Sequence, residues 1–399
     1  MESNFGNVFE PSVLRWAREK SEISLESLAI KLQDAWKHIT PTLISQWEEG
    51  TVAPSPAQVK KLAEIYKRSV AVFLLANPPE ENIPLPDRRT VGSKQINKFL
   101  PETLLMIRRA RKVQLLAEEL RGDLGIQRPF KYQKHDISEN PVNLAVEIRK
   151  DLEIPIRDQF KSKKYSIFFD YLRKKIEGTG VIVLKSGGHN SFPTEDARAF
   201  SFTEKQPYVI LINNQDTEGA KNFSLLHEFG HVLLQTAGIC NNFALFNSVH
   251  DKNGMLEIFC NQFAANFLVP AEDLLTHRVL NGRNKILIDE LDLVVNQLTK
   301  DFKVSRFVIL RRLLNTGFIG SDAYKEKAKQ WENEKPFRPK GGRTVPEKMA
   351  ISKNGVSFSS LVLEAYKQNR LSHSTASDYL GIKNKYLPAV EKILNSYER

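Results

Sequence analysis

The most constraining feature of this sequence is a segment of nearly unbroken apolar character, FSLLHEFGHVLL, at positions 223–234. A helix formed here has to bury most of its surface, together with His227, Glu228 and His231. Positions four apart lie on the same face of a helix, so both imidazoles can point to one place. Buried polar groups need partners. The segment is therefore either a helix with two hydrogen-bonded core histidines or a metal site with a carboxylate beside it.

A third metal ligand is expected downstream, because a catalytic zinc ion usually takes three protein ligands and leaves one position for water. The candidates are His250, Glu257, His277 and the two cysteines. Glu257 lies in MLEIFCNQFAANFLVP, a strong helix pattern ended by a proline, and shares a face with Asn261. Burying a lone carboxylate among large apolar residues is costly, and metal coordination would explain it. This pattern favours Glu257.

Length and composition indicate a globular protein of two or three domains, with 399 residues, 41% apolar and 26% charged. No apolar run reaches the length of a membrane span, and the N-terminus lacks a signal-peptide pattern, so no membrane partner is expected. Two cysteines, Cys240 and Cys260, cannot form a disulfide framework. We therefore expect a protein of the reducing cytoplasm.

Charge is distributed unevenly along the chain. The net charge is +11, yet residues 1–76 hold nine basic and nine acidic residues. Residues 83–131 hold eleven basic against five acidic, and residues 322–353 hold nine against five. A basic surplus permits an acidic partner such as nucleic acid, but charge runs of this kind are more often solvated helix faces or linkers.

The first 76 residues contain the start and stop signals of short helices. Ser24 is a predicted N-cap, Thr40 and Ser55 each precede a proline at the first helical position, and Gly50 is a predicted stop. A proline-rich stretch, NPPEENIPLPDRR, follows as a predicted linker.

The run from LRWAREK to KKLAEIY, about residues 11–76, resembles an XRE/Cro-type helix-turn-helix domain. The resemblance implies DNA binding, with Thr40–Trp47 as the recognition helix and Thr40, Thr42, Ser45 and Gln46 as the contact residues. The segment has no net positive charge, and its turn, QDAWKHITP, is long and contains a bulky tryptophan. A helical protein-interaction module is the alternative.

Three β-rich segments, VIVL, ARAFSF and YVILIN, precede the histidine helix and predict a small sheet. Together with HEFGH and EIFCNQFAANFLVP, they resemble the ImmA/IrrE family of metallopeptidases over about residues 165–320. The resemblance implies a Zn²⁺ ion bound by His227, His231 and Glu257, with Glu228 as the general base. Cys260 stands where the family more often has alanine, and is interpreted as a small core residue rather than a ligand.

The predicted function is a zinc-dependent endopeptidase coupled to a DNA-binding-type domain, and the resemblance implies a repressor-like protein as its substrate. Tyr208, Arg198 and His250 are candidates for the oxyanion partner. The strand Tyr208–Asn213 is a candidate for aligning an extended substrate by main-chain pairing. The alternative is a non-enzymatic transcriptional regulator or toxin–antitoxin component that uses a metalloprotease-like fold as a sensor or scaffold.

The predicted fold class is α+β and mostly helical. An N-terminal all-α helix-turn-helix domain at residues 1–76 is followed by a linker and basic helix at 77–130. A zincin-like metallopeptidase domain with a small β-sheet is predicted at 131–320. A basic linker and a small helical module complete the chain at 321–399.

Overall fold

The computed structural model describes residues 9–21, 23–79, 99–187, 191–194, 196–236, 238–240, 252–334 and 345–397, with the backbone alone at 238–240, 252–253 and 397. The chain divides into two units, Met1–Pro84 with Ile96–Arg108, and Leu85–Gln95 with Arg109–Arg399. Among the described helices, none combines the length and the apolarity needed to cross a membrane.

The described part of the first unit is helical; three of its helices begin at the predicted N-caps, and one ends at the predicted glycine. The Thr40 and Ser24 hydroxyls accept hydrogen bonds from the backbone N–H groups of Leu43 and Ser27. Ser55 and Gln58 form a reciprocal capping box. Gly50 ends its helix in the left-handed region, with φ 77°. The elements are α1 (Pro11–Lys20), α2 (Leu25–Gln33), α3 (Pro41–Glu49), α4 (Pro56–Tyr66) and a 3₁₀ turn at Val70–Leu74.

A buried ion pair joins α1 to α3 inside the first unit. Arg18 donates to both carboxylate oxygens of Glu48, at 2.7 and 2.9 Å, and the Glu48 side chain is only 4% exposed. Around this pair pack apolar residues from all four helices, and Trp36 from the long turn packs partly buried against them. The tryptophan thus belongs to the core, which accounts for a bulky residue in that turn.

Helix α5 (Pro101–Asp123) runs from the first unit into the second, which holds the remaining elements. The helices are α6 (Pro141–Asp151), α7 (Ile156–Lys161), α8 (Tyr165–Glu177), α9 (Glu218–Leu233), α10 (Lys252–Leu268), α11 (Ala271–Leu275), α12 (Ile288–Phe302), α13 (Arg306–Asn315), α14 (Ser321–Glu332), α15 (Pro346–Lys367), α16 (His373–Leu380) and α17 (Leu387–Tyr397). The strands are β1 (Ile182–Lys185), β2 (Ala199–Phe202), β3 (Val209–Ile212) and β4 (Gly238–Cys240).

The four strands form one sheet in the order β1-β3-β2-β4. β3 pairs in parallel with β1 and antiparallel with β2, and β2 pairs antiparallel with β4. The substrate-aligning role predicted for Tyr208–Asn213 is therefore wrong, because β3 lies inside the sheet and both of its edges are already hydrogen-bonded. An added strand needs a free edge.

The core of the second unit surrounds α9. Every residue of α9 from Gly219 to Leu233 is buried, as the apolar sequence predicts. The helix packs against α8, α10 and β2. The described residues form many helices and one small sheet, which confirms the predicted α+β, mostly helical fold class.

Helix α15 passes along the β1 edge of the sheet, and Gly355 interrupts it there with φ 81° and ψ 163°. A Cβ at this position would overlap the Glu177 carboxylate and lie 2.8 Å from the carbonyl oxygen of Val183, so only glycine fits. Glu177 accepts from the backbone N–H of Ser357, and Arg173 donates to the Ser352 carbonyl. Two buried charges of α8 thereby hold the interrupted segment against the strand.

Candidate metal centre

Helix α9 positions His227, Glu228 and His231 in the interior, with side chains at most 1% exposed. The two histidines are one turn apart, and their Nε2 atoms lie 3.3 Å from each other. Both imidazoles are therefore almost completely removed from solvent.

Helix α10 brings the carboxylate of Glu257 to the same point. Its Oε2 lies 3.1 Å from His227 Nε2, and its Oε1 lies 3.3 Å from His231 Nε2. The close approach of the helices depends on Gly230, whose hydrogen faces Cys260: a Cβ there would lie 3.2 Å from the Cys260 Sγ. Among the described residues, these three side chains form the one cluster whose donor atoms suit a metal ion.

The separations between these donor atoms fit a zinc ion. Zn–N and Zn–O distances of about 2.0–2.2 Å with tetrahedral angles put neighbouring ligand atoms about 3.3–3.5 Å apart. The two Nε2 atoms lie 3.3 Å apart, and each lies close to a different oxygen of Glu257, His227 to Oε2 at 3.1 Å and His231 to Oε1 at 3.3 Å, so the three side chains are near the spacing that a zinc ion requires. Two imidazoles and one carboxylate are also a common donor set of catalytic zinc, and they leave a coordination position free.

The outer nitrogens of both histidines have partners of their own. His227 Nδ1 lies 3.0 Å from the Asn261 Oδ1, and His231 Nδ1 lies 3.4 Å from the Thr236 Oγ1. When Nδ1 carries the proton, the Nε2 lone pair of each ring faces the shared point. Two lone pairs and a carboxylate that face one another repel unless a cation lies between them.

The pKa shifts have the same cause. Burial opposes ionisation of Glu257, but the charge of His231 and hydrogen bonds from both histidines hold the pKa of this carboxyl well below its usual range. Burial lowers the pKa of His231, but Cys260 and Glu257 together raise it to about 10. The cluster thus favours positive charge at its centre, which a proton or a metal ion can supply.

Glu228 lies next to the cluster in a different environment. Both of its carboxylate oxygens are buried and lack a hydrogen-bond partner within the part of the chain that the structure describes, as does the neighbouring Ser201 hydroxyl. Burial raises the pKa of Glu228, and the charges of His231 and His227 and the nearby Ser201 offset this only in part. Ionising a buried carboxyl that lacks a partner is costly, which is the physical cause of its raised pKa.

The other candidates have different surroundings. His277 Nε2 lies 3.2 Å from Asp301 Oδ2, and its ring packs edge-on against Phe160. Cys260 is a buried free cysteine that lies against Gly230 and also interacts with His231, and its interpretation as a core residue stays a prediction. Arg198 donates to both oxygens of Asp216, and the Tyr208 ring packs on Phe130 at 5.3 Å. His250 lies outside the described residues, as does the Cys240 side chain.

The predicted DNA-contact residues lie on or just before α3 in the first unit. Thr40 and Thr42 are exposed, while Ser45 and Gln46 are half-buried. The Thr40 hydroxyl caps the helix, and the Ser45 hydroxyl donates to the Glu49 carboxylate at 2.7 Å. Of the four predicted contact residues, Thr42 and Gln46 make no side-chain hydrogen bond within the described part of this unit. The base-contacting roles of all four stay a prediction.

The sequence did not assign a role to Asn261 or Thr236. A usable signal existed for Asn261, since it follows Glu257 by one helical turn and therefore shares its face. Thr236 gave no such signal, because it lies beyond the end of α9, where the helical period no longer predicts which residues share a face. Its hydroxyl contacts His231 because the chain turns back after the helix ends.

Comparisons with known families agree with both resemblances. Residues 188–314 match the family model of the IrrE N-terminal-like domain, a family of peptidases, and residues 14–73 match the helix-turn-helix family model. The predicted ImmA/IrrE architecture with an N-terminal helix-turn-helix domain is confirmed. No curated protein matches the chain.

Proposed function

We propose that the second unit carries a zinc-dependent endopeptidase site, in which His227, His231 and Glu257 hold the metal. The observation that carries the proposal is the convergence of three donor side chains, whose ligand atoms lie close enough to share one ion, beside the buried carboxylate of Glu228. The match of residues 188–314 to a peptidase family supports the same reaction class.

A zinc ion bound by these residues would polarise a peptide carbonyl and lower the pKa of a water molecule. Glu228 would accept a proton from the attacking water and pass it to the nitrogen of the leaving amine. Its buried position suits both steps, because burial raises the carboxyl pKa and brings it closer to that of the groups it exchanges protons with. The hydrophobic surroundings exclude bulk water, which strengthens each of these interactions.

The proposed substrate is a repressor-like regulatory protein, whose cleavage would relieve transcriptional control. The support is the presence of a helix-turn-helix domain and a peptidase-family domain in one chain. The alternative is a non-enzymatic regulator or toxin–antitoxin component that uses the fold as a sensor. A scaffold has no need of an unpaired buried glutamate beside its metal ligands, so Glu228 favours the enzyme.

The test compares Glu228→Gln with His231→Ala and with Glu218→Gln, a control in the first turn of the same helix whose carboxylate pairs with Lys221. Zinc content is measured by mass spectrometry of the metal, and cleavage is measured on a peptide library and on repressor proteins encoded near this gene. We expect about one zinc per chain in the wild type, near-complete loss in His231→Ala, and full retention in Glu228→Gln with cleavage reduced by about 10²–10⁴-fold. The control should behave as the wild type.

Three results would contradict the proposal in different ways. Loss of zinc in Glu228→Gln would make Glu228 a ligand rather than a base. Unchanged zinc content in His231→Ala would remove the metal assignment. A zinc-loaded wild type that cleaves no substrate would favour the non-enzymatic regulator.

A second function, DNA binding by the first unit, is supported by the match of residues 14–73 to the helix-turn-helix family. Exposed Lys31 on α2 and Lys37 before α3 could contact phosphates beside the recognition helix. The unit is neutral overall, so we propose few phosphate contacts within it and a shallow dependence of affinity on salt.

Selection of bound sequences from a random pool of duplex DNA tests this function in the full chain. Gln46→Ala should weaken binding to the selected sequence and relax its specificity, since one lost base contact costs about 1–3 kcal/mol. Gln368→Ala, an exposed glutamine on α15's C-terminal boundary, serves as the control. Failure to select any sequence, with capture of a protein partner instead, would make the domain an interaction module.

A further inference from the structure

Asn261 lies at the centre of this inference. It follows Glu257 by one turn of α10, so the helix that supplies the third donor side chain also presents an amide to the first histidine. The Asn261 Oδ1 lies 3.0 Å from His227 Nδ1, and the contact is partly buried. The corresponding contact of the second histidine, from His231 Nδ1 to Thr236 Oγ1, is longer at 3.4 Å.

The chemistry of the amide determines which nitrogen of His227 carries the proton. In this structure the Oδ1 of the amide faces the ring, and because an oxygen can only accept, His227 Nδ1 is the donor in this arrangement. The neutral ring then has its lone pair on Nε2, the atom that lies 3.1 Å from Glu257 and 3.3 Å from His231 Nε2. A fixed ring orientation and tautomer are conditions for strong metal binding by histidine.

We propose that Asn261 is a positioning residue that fixes the tautomer and orientation of His227 for metal binding. The inference rests on the proposed metal site and adds to it a residue outside the ligand set. A carboxylate in the same position would orient the ring equally well and make it a stronger donor. The neutral amide orients the ring without adding a negative charge to a site that already holds Glu228 and Glu257.

The inference is tested by zinc affinity, measured in competition with a chelator of known affinity, for the full-length chain and three variants. Asn261→Leu keeps the approximate shape and removes the acceptor. Asn261→Asp keeps the acceptor and adds charge. Asn266→Leu is the matched control, since Asn266 lies five residues farther along α10 and bonds only to the Gln262 carbonyl of its own helix among the described residues.

Zinc affinity should fall about 10–100-fold in Asn261→Leu, should equal or exceed that of the wild type in Asn261→Asp, and should be unchanged in Asn266→Leu. Equal affinities in Asn261→Leu and the wild type would overturn the inference, and so would an equal loss in Asn261→Asp. A wild type that binds no zinc would overturn the proposed function itself, which separates the two failures.

A second measurement does not depend on whether the Asn261 variants fold. In the wild-type chain labelled with ¹⁵N-histidine, nuclear magnetic resonance distinguishes the two tautomers by the shifts of the ring nitrogens. We expect His227, assigned through its absence in His227→Gln, to carry its proton on Nδ1 in both the zinc-free and the zinc-loaded protein. A His227 Nδ1 that lacks a proton in either state would refute the role of Asn261.

Discussion

The close packing of α9 on α10 can be tested at Gly230. An alanine Cβ at this position would lie 3.2 Å from the Cys260 Sγ and 3.4 Å from the Cys260 Cα and Cβ. Ordinary contacts between such atoms are about 3.5–4.0 Å, so α10 has to move by a few tenths of an ångström. Overpacking of this kind costs about 1–3 kcal/mol, while alanine gains about 1 kcal/mol over glycine in a helix interior.

The net effect of Gly230→Ala is therefore a loss of about 0–2 kcal/mol, or a few degrees in the melting temperature of the second unit. Because Glu257 lies one turn before Cys260 on the helix that moves, zinc affinity should fall as well, by about tenfold. Differential scanning fluorimetry and chelator competition measure the two quantities.

Cys260→Ala provides the control for this reasoning, because it removes the sulfur that the new methyl group meets first. Relative to Cys260→Ala alone, which sets the baseline because Cys260 also interacts with His231, Gly230→Ala should then cost close to nothing in stability or zinc affinity, a coupling expected only between residues in contact. An equal loss of stability in both backgrounds would show that the sulfur is not the obstacle. Unchanged zinc affinity despite a lower melting temperature would show that α10 does not carry the strain to Glu257.

Two further predictions concern charged groups away from the metal centre. Arg18→Met should leave Glu48 buried without its partner and reduce protection from hydrogen exchange in α1 and α3 by about 3 kcal/mol, and adding Glu48→Met should restore most of it; no recovery would refute the pairing argument. Burial lowers the pKa of His277 below its ordinary 6.5, although the charge of Asp301 opposes this shift. The unfolded chain therefore binds more protons than the folded chain, and the free energy of unfolding should decline as pH falls through 6.5. His277→Gln should flatten this decline in melting temperature between pH 7.5 and 5.5, and an unaltered slope would contradict the assignment.

Local chemistry made the first unit predictable from its sequence. Ser24, Thr40 and Ser55 begin their helices because each hydroxyl or its capping box satisfies free N–H groups within three residues. Gly50 ends α3 because only glycine enters the left-handed region without strain. No information from distant parts of the chain is needed for these positions, so prediction and structure agree.

The sheet was predictable only in part. Three strands are where the β-branched and aromatic runs predict them, but β4 is three residues long and gave no periodicity to detect. Strand order depends on pairing between segments distant in sequence, which composition does not encode. For that reason β3 could be identified as a strand but was wrongly given a free edge. Likewise, nothing local indicates that Arg173 and Glu177 hold α15 against β1, since their partners lie about 180 residues away.

The candidate metal centre lies between these two cases. The pair His227 and His231 is a local pattern, because the helical period alone brings both rings to one face. Glu257 was accessible through energetics, since a carboxylate in an apolar helix needs a cation or a hydrogen-bonding partner. The sequence could not supply the distance between α9 and α10, which depends on Gly230 and Cys260 meeting across the helix pair. That distance decides whether the three side chains can share one ion or only form separate hydrogen bonds. The packing of Gly230 against Cys260 is therefore as necessary for a metal site here as the three ligand side chains are.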